Sequence, residues 1–191
     1  MSAPIQHRVR LGFVSDAVVV RRARIGDVRA IKSIIDTYVG KVLLAKELVT
    51  LYEDVQEFWV VERDGEHGPE LVGCGALHVL WEDIAEIRSI AVLPHALRLG
   101  AGRLLVARLV ELARELGLAR LFVLTFETDF FARFGFVTID GTPVSPEVYE
   151  EMRRSADEGV AEFLDLPYVK PNTLGNARML LELSDSFGNQ L

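Results

Sequence analysis

The stretch Ile90-Ala91-Val92-Leu93-Pro94, followed by Leu97-Arg98-Leu99-Gly100-Ala101-Gly102, carries the strongest chemical signal in the chain. An apolar strand ends at a proline, glycines follow at a spacing of two, and a leucine-rich helix begins there. Such a turn points consecutive backbone N–H groups out of the positive end of a helix, which suits a pyrophosphate. Gly100 and Gly102 let phosphate oxygens approach the backbone, and Arg98 and Arg103 add local positive charge. An ordinary strand-to-helix turn would have the same composition. Two other phosphate loops are excluded, because no Gly-Lys-Ser/Thr follows and position 105 is Leu where a third glycine would stand.

Glu86 and Arg88 lie on the preceding strand and share a face by its period of two. A carboxylate on a largely apolar strand is liable to a raised pKa, which suits a base working near neutrality. The plainer alternatives are an exposed strand-edge glutamate and an ion pair within the strand. Cys74 is the single cysteine, so an intrachain disulfide and a Cys-rich zinc site are excluded. Its place in the apolar run Leu71–Trp81 predicts a buried thiol. His78 and His95 lack ligand spacing, and no metal is expected.

The elements that must position these residues follow from periodicity and punctuation. Ala17–Arg22 reads as a strand, and the first 16 residues as a loose arm or an extra edge strand. Asp27 has N-cap chemistry for a helix burying Val28, Ile31, Ile34, Ile35 and Tyr38, with Gly40 ending it. A short helix is predicted from about Lys46 to Tyr52. Strands follow at Phe58–Glu62, Leu71–Trp81 (weakened by Gly73 and Gly75) and Ala85–Leu93. The long helix runs from about Gly100 to Leu116, with Gly117 at its C-terminal cap. Leu121–Phe126 reads as a strand buried on both faces, then a short helix at Asp129–Phe134 and a strand at Phe136–Ile139. Ser145 caps a helix over Glu147–Arg154, a loop with Pro167 and Pro171 follows, and Ala177–Leu183 is the last strand. Hairpins followed by helical crossovers imply an α/β (α+β) fold with a single mixed β-sheet and helices on both faces.

Hydrophobic residues make up 50% of the 191, charged residues 26%, and the net charge is −7. That apolar content excludes a disordered chain, and the acidic balance disfavours a general nucleic-acid binder. No apolar run approaches a membrane span, and no secretory signal is visible, so a cytoplasmic protein without nucleic-acid or membrane partners is expected.

Val-x-Pro, the Gly-x-Gly turn, the Leu-rich helix, the buried strand and the Phe134-Gly135-Phe136 ending resemble, in order and spacing, the GNAT superfamily of acetyl-CoA-dependent N-acetyltransferases. The superfamily motif Arg/Gln-x-x-Gly-x-Gly/Ala has Leu97 at its first position here, which leaves its backbone amides but not its first side chain. A narrower resemblance rests on Ala85-Glu86-Ile87, Leu121–Thr125, Phe131–Phe136 and the segment Tyr168-Val169-Lys170 through Leu180. These are similar to N-acetylglutamate synthases, in particular the short actinobacterial forms lacking an amino-acid-kinase domain. The implied organisation is an acetyltransferase domain over 17–191.

The resemblance implies acetyl-CoA held by Ile90, Ala91 and Val92 of the strand and by Leu97, Arg98, Leu99, Gly100, Ala101, Gly102 and Arg103 of the turn. Phe131 stands where many members carry a tyrosine acid, and the synthases instead place a Ser or Thr at the position of Thr125. It implies Glu86 as base, through a water, and a backbone oxyanion donor near Ser89 or Ile90. An acidic amino-acid acceptor needs cations; Lys46, Arg88, Lys170 and Arg178 are the candidates, with Ser89 and Asn176 beside them. The implied reaction acetylates L-glutamate, the first step of arginine biosynthesis, with L-glutamine as a competitor and a homodimer left open. A protein N-terminus, a polyamine or a xenobiotic amine is the alternative acceptor. A non-catalytic acyl-CoA sensor is a third reading, motivated by Leu97 and Phe131 and opposed by Glu86.

Overall fold

The computed structural model describes residues 14–15, 18–65, 68–168 and 175–183. Among the described residues eight strands form one sheet in the order β1-β2-β3-β4-β5-β6-β8-β7. They are β1 (Val14–Ser15), β2 (Val18–Arg22), β3 (Phe58–Gly65), β4 (Gly68–Val79), β5 (Ile84–Val92), β6 (Arg120–Thr125), β7 (Val137–Thr138) and β8 (Ala177–Glu182). Only β5 and β6 pair in parallel, so the sheet is mixed, as the pattern predicted. The α-helices are α1 (Val28–Asp36), α2 (Leu48–Glu53), α3 (Ala101–Glu115), α4 (Thr128–Ala132), α5 (Pro146–Met152) and α6 (Glu158–Phe163).

Strand alternation divides the core. On one face, Leu105 and Leu109 of α3 pack against Val61, Ala85, Ile87, Leu121 and Val123. On the opposite face there are two separate clusters. Val28, Ile31 and Ile35 of α1 and Leu51 of α2 cover Val60, Cys74 and Ala76. Met152 of α5 and Val160 and Phe163 of α6 cover Ile84, Phe122 and Leu180. Each such fully buried aliphatic or aromatic side chain contributes roughly 1.5–3 kcal/mol. Helices therefore lie on both faces, and the gap between the two clusters lies over the middle of β5.

Two expectations are corrected. Asp27 does not cap α1 with its side chain: its carboxylate accepts from Arg24 N–H at 2.7 Å and pairs with Arg21. The segment after Arg154 is not all loop, because Asp157 caps α6 by accepting from Val160 N–H at 2.9 Å. By contrast Ser145 does cap α5, accepting from Val148 N–H.

Two irregularities shape the middle of the sheet. Cys74 pairs with Ala91 while Ala76 pairs with Arg88, so β5 carries one extra residue there. Ser89 absorbs this β-bulge at φ 57°, a conformation that L-residues seldom adopt. Opposite it, Gly75 gives room to the Ile90 side chain, since a Cβ there would lie 2.3 Å from Ile90 Cδ1. Second, β5 and β6 pair only from Ile84↔Arg120 to Glu86↔Phe122. Beyond Glu86 they part, while β6 stays paired to β8 as far as Thr125. The β6-facing edge of β5 after Glu86 therefore borders an open wedge.

Candidate active site

Two adjoining cavities of about 630 and 610 Å³ meet at this wedge and share Ile87, Arg88, Ser89 and Leu124 as lining. The first lies between α2 and α6, over Glu86. The second follows β5 to the start of α3.

The second cavity is built by the turn singled out in the sequence. Gly100 is the N-cap of α3 at φ 71°, a left-handed conformation that costs a residue with a Cβ about 1 kcal/mol. The first intrahelical bond runs from Leu104 N–H to Gly100 C=O, so the helix provides no acceptor for the amides of Ala101, Gly102 and Arg103. Gly102 lines the cavity, where a Cβ would make only ordinary contacts with Phe130 and Val92, so its absence leaves room for a ligand. Arg103 lines the wall with Arg133, a cation the sequence reading missed. Ile90, Ala91, Val92, Leu97 and Phe131 also line it. Arg98 is exposed outside the lining, whereas Leu99 packs on the α3-side core and Ala101 is fully buried, so neither side chain lines the cavity. An anionic, elongated molecule with an apolar arm fits this combination of amides, arginines and aromatic wall. Thr125 sits at the inner end, buried, its Oγ1 accepting from Glu127 N–H at 2.9 Å. That bond leaves the hydroxyl proton to be donated.

In the first cavity Glu86 is 4% exposed, and its Oε2 has no hydrogen-bond partner among the described residues. Burial pushes its carboxyl up to about 7, with Glu162 and Asp157 adding to the rise and Arg88 opposing it. Arg88 is less free than the sequence implied. Nη1 donates to Asp157 Oδ1 at 2.8 Å, and Nη2 lies 3.4 Å from Glu57 Oε2 and 3.9 Å from Asp54 Oδ2. Burial works against the Arg88 charge, but these carboxylates hold it protonated. His78 completes a ring, with Nδ1 2.9 Å from Glu57 Oε1 and Nε2 4.0 Å from Asp157 Oδ1.

The expected acceptor cations are therefore redistributed. Lys46 lines the cavity and has no carboxylate partner within ion-pair distance among the described residues. Ser89 and Asn176 line it too. Arg178 does not: its guanidinium donates to the carbonyls of Gly141, Glu162 and Phe163 and stacks over Phe122. Lys170 lies outside the described residues. The expectation of a mainly cationic pocket is overturned, because Glu47, Glu53, Asp54, Glu86, Asp157, Glu158 and Glu162 all line it. The acids from α6 were missed with the helix itself, although Asp157 followed by Val160, Phe163 and Leu164 is a readable cap and apolar stripe. Cys74 is fully buried, which pushes its thiol up to about 12 and removes it as a nucleophile.

Known proteins resemble the chain over most of its length. An amino-acid acetyltransferase of Mycobacterium tuberculosis is 64% identical over 165 residues, covering 86% of this chain and 94% of that protein. A solved Mycobacterium tuberculosis structure in complex with CoA and the ligand NLQ superposes with a TM-score of 0.83 at 64% identity, over 86% of this chain and 99% of the other. The N-acetylglutamate synthase of Neisseria gonorrhoeae, complexed with coenzyme A and N-acetyl-glutamate, gives a TM-score of 0.68 at 26% identity over 89% of this chain but only 36% of that one. With residues 31–136 matching the model of the Acetyltransferase (GNAT) family, the chain that builds this wedge and helix start belongs to that family.

Proposed function

We propose that this protein transfers the acetyl group of acetyl-CoA to the α-amine of L-glutamate, in a ternary complex and without an acyl-enzyme. One observation carries the reading: a buried carboxylate with an unpartnered oxygen, Glu86, lines an acceptor cavity that adjoins a cavity ending at a glycine-rich helix start. The relatives named above, an amino-acid acetyltransferase and an N-acetylglutamate synthase, support the same acceptor class.

Acetyl-CoA supplies an activated acyl carbon, and the amides of Ala101–Arg103 with Arg103 and Arg133 hold its phosphates. Glu86 takes a proton from the acceptor ammonium, through a water. The freed amine attacks the thioester carbon, the N–C bond forms, the C–S bond breaks, and the nitrogen releases its second proton to solvent. Backbone amides of the splayed stretch near Ser89 and Ile90 stabilise the oxygen as it becomes an oxyanion. Thr125 gives a proton to the departing sulfur, and its hydroxyl is restored from solvent. Lys46 binds an acceptor carboxylate, and the surrounding acids favour the approach of the ammonium.

L-Glutamine is the second reading, favoured by the excess of carboxylates over cations around the acceptor cavity. An amide end would avoid the repulsion that a second carboxylate meets there. Thiol release measured with acetyl-CoA and a panel of amines decides: turnover of glutamate or glutamine supports the assignment, and preference for polyamines or other cationic amines overturns it. The reading places the reaction in arginine biosynthesis in the cytoplasm, within a single acetyltransferase unit over 17–191 that leaves a homodimer open. Among the described residues no helix is long and apolar enough to cross a membrane.

A further inference from the structure

We propose that Asp157 is a positioning residue for the transfer: by holding the Arg88 guanidinium it docks the first turn of α6 on Glu86 and keeps Arg88 turned away from the base. The inference rests on Glu86 as the base. Asp157 Oδ1 makes two bonds at once, accepting from Val160 N–H at 2.9 Å and from Arg88 Nη1 at 2.8 Å. The cap of α6 and the side chain next to Glu86 are thus tied through one oxygen. The docking is close. A Cβ at Gly159 would lie 2.7 Å from Arg88 Nη1, 3.0 Å from Asp157 Oδ1 and 3.3 Å from Glu86 Oε2, so only glycine lets the turn sit there without displacement. Glu57 and His78 hold the far side of the ring.

The groups that act on Glu86 come from every element around it: Arg88 from its own strand, His78 from β4, Asp157 and Glu162 from α6, and Arg178 from β8. Removing the Asp157 charge has two consequences of one sign. A repulsive neighbour of the carboxylate is lost, and Arg88 is released toward it. Each favours the ionised form of Glu86 at lower pH.

The test is the pH dependence of kcat for Asp157→Asn. Asparagine is as good an N-cap as aspartate, so α6 keeps its cap and loses only the ionic tie. The ascending limb should move to lower pH by about one pH unit, with the plateau down about 10-fold and the KM for acetyl-CoA unchanged. Arg88→Gln alone should move the limb the other way, and adding Asp157→Asn to it should produce a much smaller shift than in the wild type. Should Asp157→Asn not fold, Asp157→Ser also caps but is too short to reach Arg88, and the same shift is expected. A limb that stays in place in a folded variant, or an equal shift in both backgrounds, overturns the proposal. Glu86→Gln separates the two failures: if it keeps the limb, the base assignment is wrong; if it abolishes the limb while Asp157→Asn leaves it in place, only the positioning role falls.

Discussion

Arg88 sits two residues from Glu86 on one face of β5, yet its guanidinium bonds Asp157 at 2.8 Å and no ion pair joins it to its strand neighbour. The base therefore has a cation close by but not on it. Burial without direct neutralisation is what lifts the Glu86 carboxyl toward neutrality.

That lift has a stability consequence as well as a kinetic one. Glu86 moves from 4.5 to about 7 on folding, so the folded state holds its proton where the unfolded chain has lost it. The associated stability is fully present below about 4.5 and is lost as pH rises through about 7. Glu86→Gln cannot ionise and should gain on the wild type across that window, by on the order of 3 kcal/mol at pH 8. Denaturant unfolding at pH 4.5 and pH 8 measures it, and equal pH dependence in both proteins would contradict the buried titration. The same variant should lose roughly 10²–10⁴-fold in kcat.

The helix start gives a prediction about acetyl-CoA. Gly102 borders the second cavity with room to spare, so Gly102→Val should fold and project its side chain into the ligand's space. Its KM for acetyl-CoA should rise well above that of the wild type, with the amino-acid KM nearly unchanged. Wild type should be stabilised by about 2.7 kcal/mol at acetyl-CoA concentrations 100 times Kd, and Gly102→Val should lose most of that thermal shift. An unchanged shift would remove this turn from the site.

Arg178 makes the opposite kind of prediction from the one its sequence suggested. It reads as a candidate acceptor cation, but its donors satisfy the carbonyls of Gly141, Glu162 and Phe163. Leaving those acceptors without their donor should cost about 1–3 kcal/mol. Arg178→Ala should therefore lower Tm. A large rise in amino-acid KM at unchanged Tm would restore it as a substrate ligand.

The order of elements along the chain was legible because its punctuation is strong: Pro94, Gly100 and Gly117 bracket the α3 crossover, and the alternating or continuous apolar runs mark β3 to β6. The phosphate turn was legible for the same reason, since its function lies in backbone amides fixed by local sequence. The bulge at Ser89 was hidden, because an extra residue in a strand leaves no compositional mark. The ring of Glu57, His78, Arg88 and Asp157 was hidden for a different reason. Its bonds join residues 21, 31 and 69 positions apart, which only the packing of α6 and the turn before β3 brings together. Arg88 therefore read either as an acceptor cation or as half of an ion pair within its strand, and the acceptor pocket read as more positive than it is.

Lys46 is left as the cation of that pocket with no carboxylate within ion-pair distance among the described residues, although Asp54 and Glu162 lie near enough to feel its charge, and it is half-buried. A charged hydrogen bond from such a group to an acceptor carboxylate is worth about 1.5–3 kcal/mol. Lys46→Ala should then raise the amino-acid KM about 10- to 100-fold, leaving the KM for acetyl-CoA and the saturated rate near wild type. Comparing two acceptors locates the bond. If Lys46 holds the α-carboxylate, glutamate and glutamine lose affinity equally. If it holds the side-chain carboxylate, glutamate alone loses and the variant turns toward glutamine. Unchanged KM values for both would mean that the acceptor is bound without Lys46, and that its carboxylates are met by backbone amides of β5 or by residues outside the cavity walls described here.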